Sequence, residues 1–121
     1  MSKNILIVDD SATIRKLVSL TLKFKGYNVV TADDGKAALD ILQRENFDMV
    51  IIDILMPEMD GFQLLSKIKD EEKLKNIPSV VLTTEGDETS KQKGIKLGAD
   101  SYLVKPFQPQ QLLAKVEEYV K

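Results

Sequence analysis

The 121 residues contain no cysteine and no histidine. Without cysteine, disulfides, zinc–thiolate sites and thiol nucleophiles are all excluded, a composition that fits a reducing compartment. Without histidine there is no imidazole base, no His–metal site and no phosphohistidine, so phosphoryl donation through histidine has to come from a partner. A strongly basic face is missing too, because 17 Lys and Arg stand against 19 Asp and Glu and leave a formal net charge of −2. That balance gives no long-range attraction for nucleic acid or an anionic membrane, and neither is expected as a partner. Lysines do group at Lys67, Lys69, Lys73 and Lys75 and at Lys91, Lys93 and Lys96, but acids interleave with them, as on solvated helix faces. Long hydrophobic runs are also absent. The opening MSKNILIVDD has four apolar residues before two acids, too few for a signal-peptide core. No stretch approaches the ~20 apolar residues that span a bilayer. A cytoplasmic, monomeric protein is the expectation.

What is present is 43% hydrophobic residues, enough for one core, without repeats, low-complexity segments or linkers. One domain over residues 1–121 is expected, with no output domain attached. Apolar runs of four or five residues alternate with amphipathic stretches of ten or more, the pattern of βα units around a parallel sheet. The runs Ile5–Val8, Val29–Thr31, Met49–Ile52, Val80–Leu82 and Tyr102–Val104 read as strands covered on both faces. A first helix starts at the capping hydroxyl of Ser11, carries Ile14, Leu17, Val18 and Leu22 at helical spacing, and stops at Lys25-Gly26. A second runs from Gly35 to about Glu45, and a third follows Asp60-Gly61 with Leu64, Leu65 and Ile68 inward. The fourth, about Glu88 to Leu97, is the weakest, with Gly94 inside it and few apolar residues besides Ile95 and Leu97. The last, Pro109 to Val120, has proline in its first turn, where a missing N–H does no harm. The expected architecture is α/β: a doubly wound, five-stranded parallel sheet in the order 2-1-3-4-5 with five helices.

Five polar residues stand where the apolar runs stop: Asp9 and Asp10 after NILIV, Asp53 after MVII, Thr83 after SVVL and Lys105 after SYLV. Open parallel sheets bind ligands at the carboxyl ends of their strands, at the switch point, which in this order lies between the first and third strands. Asp9, Asp10 and Asp53 therefore converge. Three such carboxylates repel unless a cation sits among them, and an all-oxygen ligand set favours a hard ion such as Mg²⁺. Asp33-Asp34 is a second acidic pair, but it follows the edge strand and reads as a turn and helix cap. Asp53 lies between apolar runs in MVIIDILMP, where a buried carboxylate needs partners. Pro106 fixes the backbone next to Lys105, as suits a positioned charge.

These segments, ILIVDDS, IIDILMPEMDGF, VVLTTEG and YLVKPF, resemble in order and spacing the receiver domain of two-component response regulators, and among them the small CheY-like proteins. The resemblance covers essentially the whole chain. It implies a flavodoxin/CheY-like fold in which Asp53 accepts a phosphoryl group from a sensor histidine kinase, with Thr83 and Lys105 assisting. It further implies Mg²⁺ bound by Asp10, Asp53 and the backbone carbonyl of Leu55, with Asp9 acting directly or through water. As implied switch elements, Thr83 shifts toward the phosphoryl group and Tyr102 swings inward. The face of the fourth helix, fifth strand and fifth helix is then remodelled for an output protein, and Lys105–Pro106 is cis. Such a chain is no enzyme toward other substrates; it catalyses only its own phosphorylation and dephosphorylation.

Leu55 and Thr84 depart from the best-known chemotaxis pattern, with a polar residue and an alanine replaced, while Glu85 keeps the acid that follows; these three are the expected tuning positions. Leu55 is expected to prolong the acyl phosphate. Chemotaxis or motility control is the first expectation for the output, because TTEG and KPF resemble chemotaxis-type members. A phosphate sink, a relay intermediate or the receiver of a longer transcriptional regulator are alternatives. A Mg²⁺-dependent aspartyl-phosphate hydrolase is a different class, disfavoured by the lack of an aspartate two residues beyond Asp53. A flavin carrier is disfavoured because Asp9-Asp10 would repel its phosphate.

Overall fold

The computed structural model describes residues 2–56, 59–84 and 86–120. Strands and helices alternate along the chain as β1 (Asn4–Val8), α1 (Ala12–Phe24), β2 (Asn28–Ala32), α2 (Gly35–Arg44) and β3 (Met49–Asp53). They continue as α3 (Gly61–Asp70), β4 (Ser79–Thr84), α4 (Glu88–Lys96), β5 (Ser101–Lys105) and α5 (Pro109–Tyr119). All pairings are parallel in the order β2-β1-β3-β4-β5, as the sequence pattern leads one to expect. Each strand extends one to three residues beyond its expected run, since ladder hydrogen bonds do not depend on side-chain polarity.

Alternation along the strands builds two cores. Leu6, Val8, Val50, Ile52 and Val81 face one layer with Ala38 and Leu42 of α2 and Leu64, Leu65 and Ile68 of α3. Ile5, Ile7, Met49, Ile51, Val80, Leu82 and Leu103 face the other with Val18 and Leu22 of α1 and Leu112 and Val116 of α5. Each fully buried aliphatic side chain contributes about 1.5–3 kcal/mol, so both faces of the sheet anchor their helices firmly.

Side-chain caps start four of the helices at the carboxyl edge of the sheet. Ser11 Oγ accepts the Ile14 N–H, Asp34 that of Ala37, Asp60 that of Gln63 and Asp87 that of Ser90. The pair Asp33-Asp34 is thus a turn and a cap, as its place after the edge strand implied.

Two helix faces bury fewer of their apolar residues than they carry. Leu17 is 40% exposed although it shares the helical spacing of the apolar residues of α1, because the buried stripe follows Val18 and Leu22, four apart, and a residue at 17 lies about a quarter turn off it. In α4, Ile95 is exposed and Gly94 is the buried residue. A Cβ at position 94 would lie 3.1 Å from Val81 Cγ2. The glycine that weakens the helix intrinsically is what lets it sit close to β4, and it leaves α4 with little apolar anchorage.

Candidate phosphoryl-transfer site

Register brings the polar residues together. Val8 pairs with Ile52, so Asp9 and Asp53 lie side by side one step on, while Asp53 itself pairs with Leu82 and Thr84 pairs with Lys105. Asp53 closes β3, Lys105 closes β5, and Asp9-Asp10 begin the turn into α1. Carboxylate oxygens of Asp9, Asp10 and Asp53 all fall within 4.8 Å of one another. Asp9 and Asp53 are buried and Asp10 is exposed.

Asp9 is fully committed. Its Oδ1 accepts the Ser11 N–H at 2.9 Å, its Oδ2 accepts the Lys105 ammonium at 2.9 Å, and its carbonyl accepts Arg15 Nη1 at 2.8 Å. Asp53 is held more loosely, with Lys105 Nζ 3.3 Å and the Leu55 N–H 3.4 Å from its Oδ1. Burial, followed by the neighbouring Asp9 charge, raises the Asp53 carboxyl from 3.8 to about 6, against the opposing pull of Lys105 and the Leu55 N–H. Burial alone would lower Lys105, but its hydrogen bond to Asp9 and the two carboxylate charges outweigh that and hold the ammonium above its usual value. One fixed cation is therefore shared between two buried anions. A hard divalent ion fits the donors left over: the Asp10 and Asp53 carboxylates and a Leu55 carbonyl that accepts no hydrogen bond among the described residues, with the Asp9 carboxylate adjacent.

Above the carboxylates lies a cleft of about 230 Å³, lined by Asp10, Asp53, Leu55, Thr83, Thr84, Asp87 and Lys105, with Ile54 and Leu82 at its base. Thr83 is 3% exposed, and among the described residues its Oγ1 is the buried side-chain polar atom without a hydrogen-bond partner. A buried hydroxyl left unpaired beside a polar cleft is an uncommon arrangement that a ligand oxygen would satisfy. Leu55 is 66% exposed at the mouth, and Thr84 is exposed there too. Glu85 lies outside the described residues. The Lys105–Pro106 bond is cis.

Tyr102 is 37% exposed, with the Lys91 ammonium of α4 4.8 Å and the Lys115 ammonium of α5 6.0 Å from its ring centroid. Its ring faces outward between the two helices.

Sequence reasoning missed three residues at the site. Arg15 reaches back from α1 to the Asp9 carbonyl, and its signal was its place one helical turn beyond the Ser11 cap. Asp87 lines the cleft and caps α4, where the Ser90 hydroxyl and N–H hold its carboxyl below the usual carboxylate range. Gly61 matters for what it lacks. A Cβ there would run into the Asp53 carbonyl oxygen, while its N–H donates to the Ile54 carbonyl at 2.9 Å.

Known proteins similar to this chain in sequence and fold are numerous. The sequence model described as the response regulator receiver domain matches residues 5–117. The probable transcriptional regulator ycf27 of Guillardia theta is 41% identical over 98% of the chain and 46% of its own length. The transcriptional regulatory protein SrrA of Staphylococcus aureus is 35% identical over 100% of the chain and 49% of its own length. The chain thus spans about half the length of the curated relatives it matches. Among solved structures, the chemotaxis protein CheY4 of Vibrio cholerae superposes with a TM-score of 0.94 at 41% identity, covering 99% of this chain and 100% of that one. A putative response regulator from Chloroflexus aurantiacus superposes with a TM-score of 0.95 at 35% identity, covering 98% of each chain.

Proposed function

Because the chain belongs to the family of two-component response regulator receiver domains, we propose that it is a phosphorylation switch whose acceptor is Asp53. The observation that carries this reading is the setting of the Asp53 carboxylate: 5% exposed, 3.3 Å from the Lys105 ammonium, and at the floor of a cleft lined by the unpartnered Thr83 hydroxyl.

An Asp53 oxygen attacks the phosphorus of a phosphohistidine on a sensor kinase. The new P–O bond forms as the P–N bond breaks, and the imidazole leaves with the bonding pair and takes up a proton. With no histidine of its own, the chain accepts and does not donate in this way. Asp10, Asp53 and the Leu55 carbonyl would hold Mg²⁺, with Asp9 direct or through water; when bound, the ion neutralises charge on the phosphoryl oxygens. Lys105 supplies a second positive charge to the equatorial oxygens, and the Thr83 hydroxyl supplies a hydrogen bond. The chemistry is confined to the chain's own gain and loss of the phosphoryl group.

The phosphoryl group places about −1.5 to −2 of charge where the carboxylate carried −1. Thr83 and Lys105 then close on it, Tyr102 turns inward from between Lys91 and Lys115, and the α4–β5–α5 face changes for an output protein. The thin apolar anchorage of α4 makes that element easy to shift. Chemotaxis or motility output is supported by the full-length match to CheY4. The half-length match to transcriptional regulators supports a second reading, in which the same switch governs a transcriptional output.

Adding Mg²⁺ and beryllofluoride while recording amide NMR spectra tests the switch. Shifts are expected at Asp53, at Thr83 and along α4 and β5, including Tyr102. Shifts confined to the carboxylate cluster would leave the chain without a switch.

A further inference from the structure

Among the described residues, nothing holds the side chain of Asp10, unlike those of Asp9 and Asp53. Among the described residues, no hydrogen bond or ion pair reaches its carboxylate, and it is exposed. The backbone of the β1–α1 turn therefore sets the Cα–Cβ bond from which its carboxylate starts. That backbone is fixed at its start, because the Asp9 N–H donates to the Ala32 carbonyl at 3.1 Å and extends the sheet ladder. It is fixed at its end, because the Ser11 N–H donates to Asp9 Oδ1 and the Ser11 hydroxyl caps α1. Between them lies the peptide plane joining Asp9 to Asp10. The Asp9 carbonyl belongs to that plane, and a planar peptide carries the Asp10 Cα with it. Arg15 Nη1 is the donor that holds this carbonyl, at 2.8 Å, from a half-buried side chain on the first turns of α1.

We propose that Arg15 is the positioning residue of the divalent-cation site: it fixes the Asp9–Asp10 peptide plane and so aims the Asp10 carboxylate at the ion. This rests on the reading of the cluster as a cation site. Arg15 touches neither the ion nor the phosphoryl group, and its role is carried by geometry. Lys16 is the natural control, since it is exposed, adjacent in sequence and of the same charge. Its loss changes the electrostatics of α1 and leaves the clamp intact.

The test is a Mg²⁺ titration of the full chain followed by amide NMR, for wild type, Arg15→Gln and Lys16→Gln, with melting temperatures recorded alongside. Arg15→Gln is expected to weaken Mg²⁺ binding by about tenfold or more, the effect of losing a group that orients a ligand, and Lys16→Gln by less than twofold. If Arg15→Gln does not fold, Arg15→Lys keeps the charge but not the reach and fork of the guanidinium. A loss of threefold or more in that variant supports the role. Wild-type affinity in the Arg15 variant overturns it, and so does equal weakening by Arg15→Gln and Lys16→Gln, which would make the effect one of charge alone. A wild type that shows no Mg²⁺-dependent shifts at all would instead remove the cation site, a separate failure from that of Arg15.

Discussion

The ammonium of Lys105 lies 2.9 Å from Asp9 Oδ2, nearer than its 3.3 Å to Asp53. In this state the cation at the end of β5 is committed first to the buried Asp9, and Asp53 receives what is left. An acceptor that is incompletely neutralised is one whose charge state and whose contacts respond to what enters the cleft.

The first consequence concerns stability against pH in the absence of divalent ions. The Asp53 carboxyl titrates near 6 in the folded chain and near 3.8 when exposed, so the folded state holds the proton more tightly. Its contribution is fully present below 3.8 and is lost as pH rises through 6. Asp53→Asn, which stays neutral, should be more stable than wild type near neutral pH by about 1–3 kcal/mol. That advantage should vanish in acid. Urea unfolding in chelator across this range checks both the sign and the window.

Removing Lys105 should act in the opposite sense. Lys105→Met leaves Asp9 and Asp53 adjacent and buried without their shared cation, and loss of about 1–3 kcal/mol near neutral pH is expected for a pair whose cation is partly solvated. Phosphoryl uptake from a small donor should fall by about tenfold or more, because a charge aimed at the equatorial oxygens is gone. Unfolding curves and uptake rates separate the two effects.

Gly61 and Gly26 make a paired comparison. At Gly61 a Cβ would press on the Asp53 carbonyl, whereas at Gly26, with φ of +92°, it would meet nothing within 4 Å. Gly26→Ala should lose only the backbone strain, about 1–2 kcal/mol. Gly61→Ala should lose about 1–3 kcal/mol through overpacking and, unlike Gly26→Ala, slow phosphorylation by displacing the acceptor. Equal phosphorylation rates in the two variants would show that the close approach of α3 does not position Asp53.

Leu55 stands two residues after the acceptor, 66% exposed at the mouth of the cleft. An apolar side chain there cannot orient a hydrolytic water. Leu55→Asn should therefore shorten the lifetime of the acyl phosphate, measured by loss of label after the donor is removed. Equal or slower loss in the variant would rule out this role.

The fold and the cluster were readable because both follow from periodicity: five short apolar runs set the strands, and the polar residues that end them mark one edge of the sheet. The look-alike pair Asp33-Asp34 could be set aside by position, and Asp34 does cap α2. What could not be read depended on three-dimensional approach. Arg15 looks like any cation on an amphipathic helix until its reach to the Asp9 carbonyl is seen. Gly61 looks like the end of a cap, and Gly94 like a defect, until the neighbouring Asp53 and Val81 occupy the space a side chain would need. The exposure of Leu17 and Ile95 turned on which side of each helix meets the sheet, a matter of a quarter turn.

The central claim is that Asp53 is modified. Its most direct test is intact-mass analysis of wild type and Asp53→Asn after incubation with Mg²⁺ and acetyl phosphate. Wild type is expected to gain one phosphoryl group, lost again by hydrolysis once the donor is removed, while Asp53→Asn gains none. Equal gain in the two proteins, or no gain in the wild type, would contradict the account.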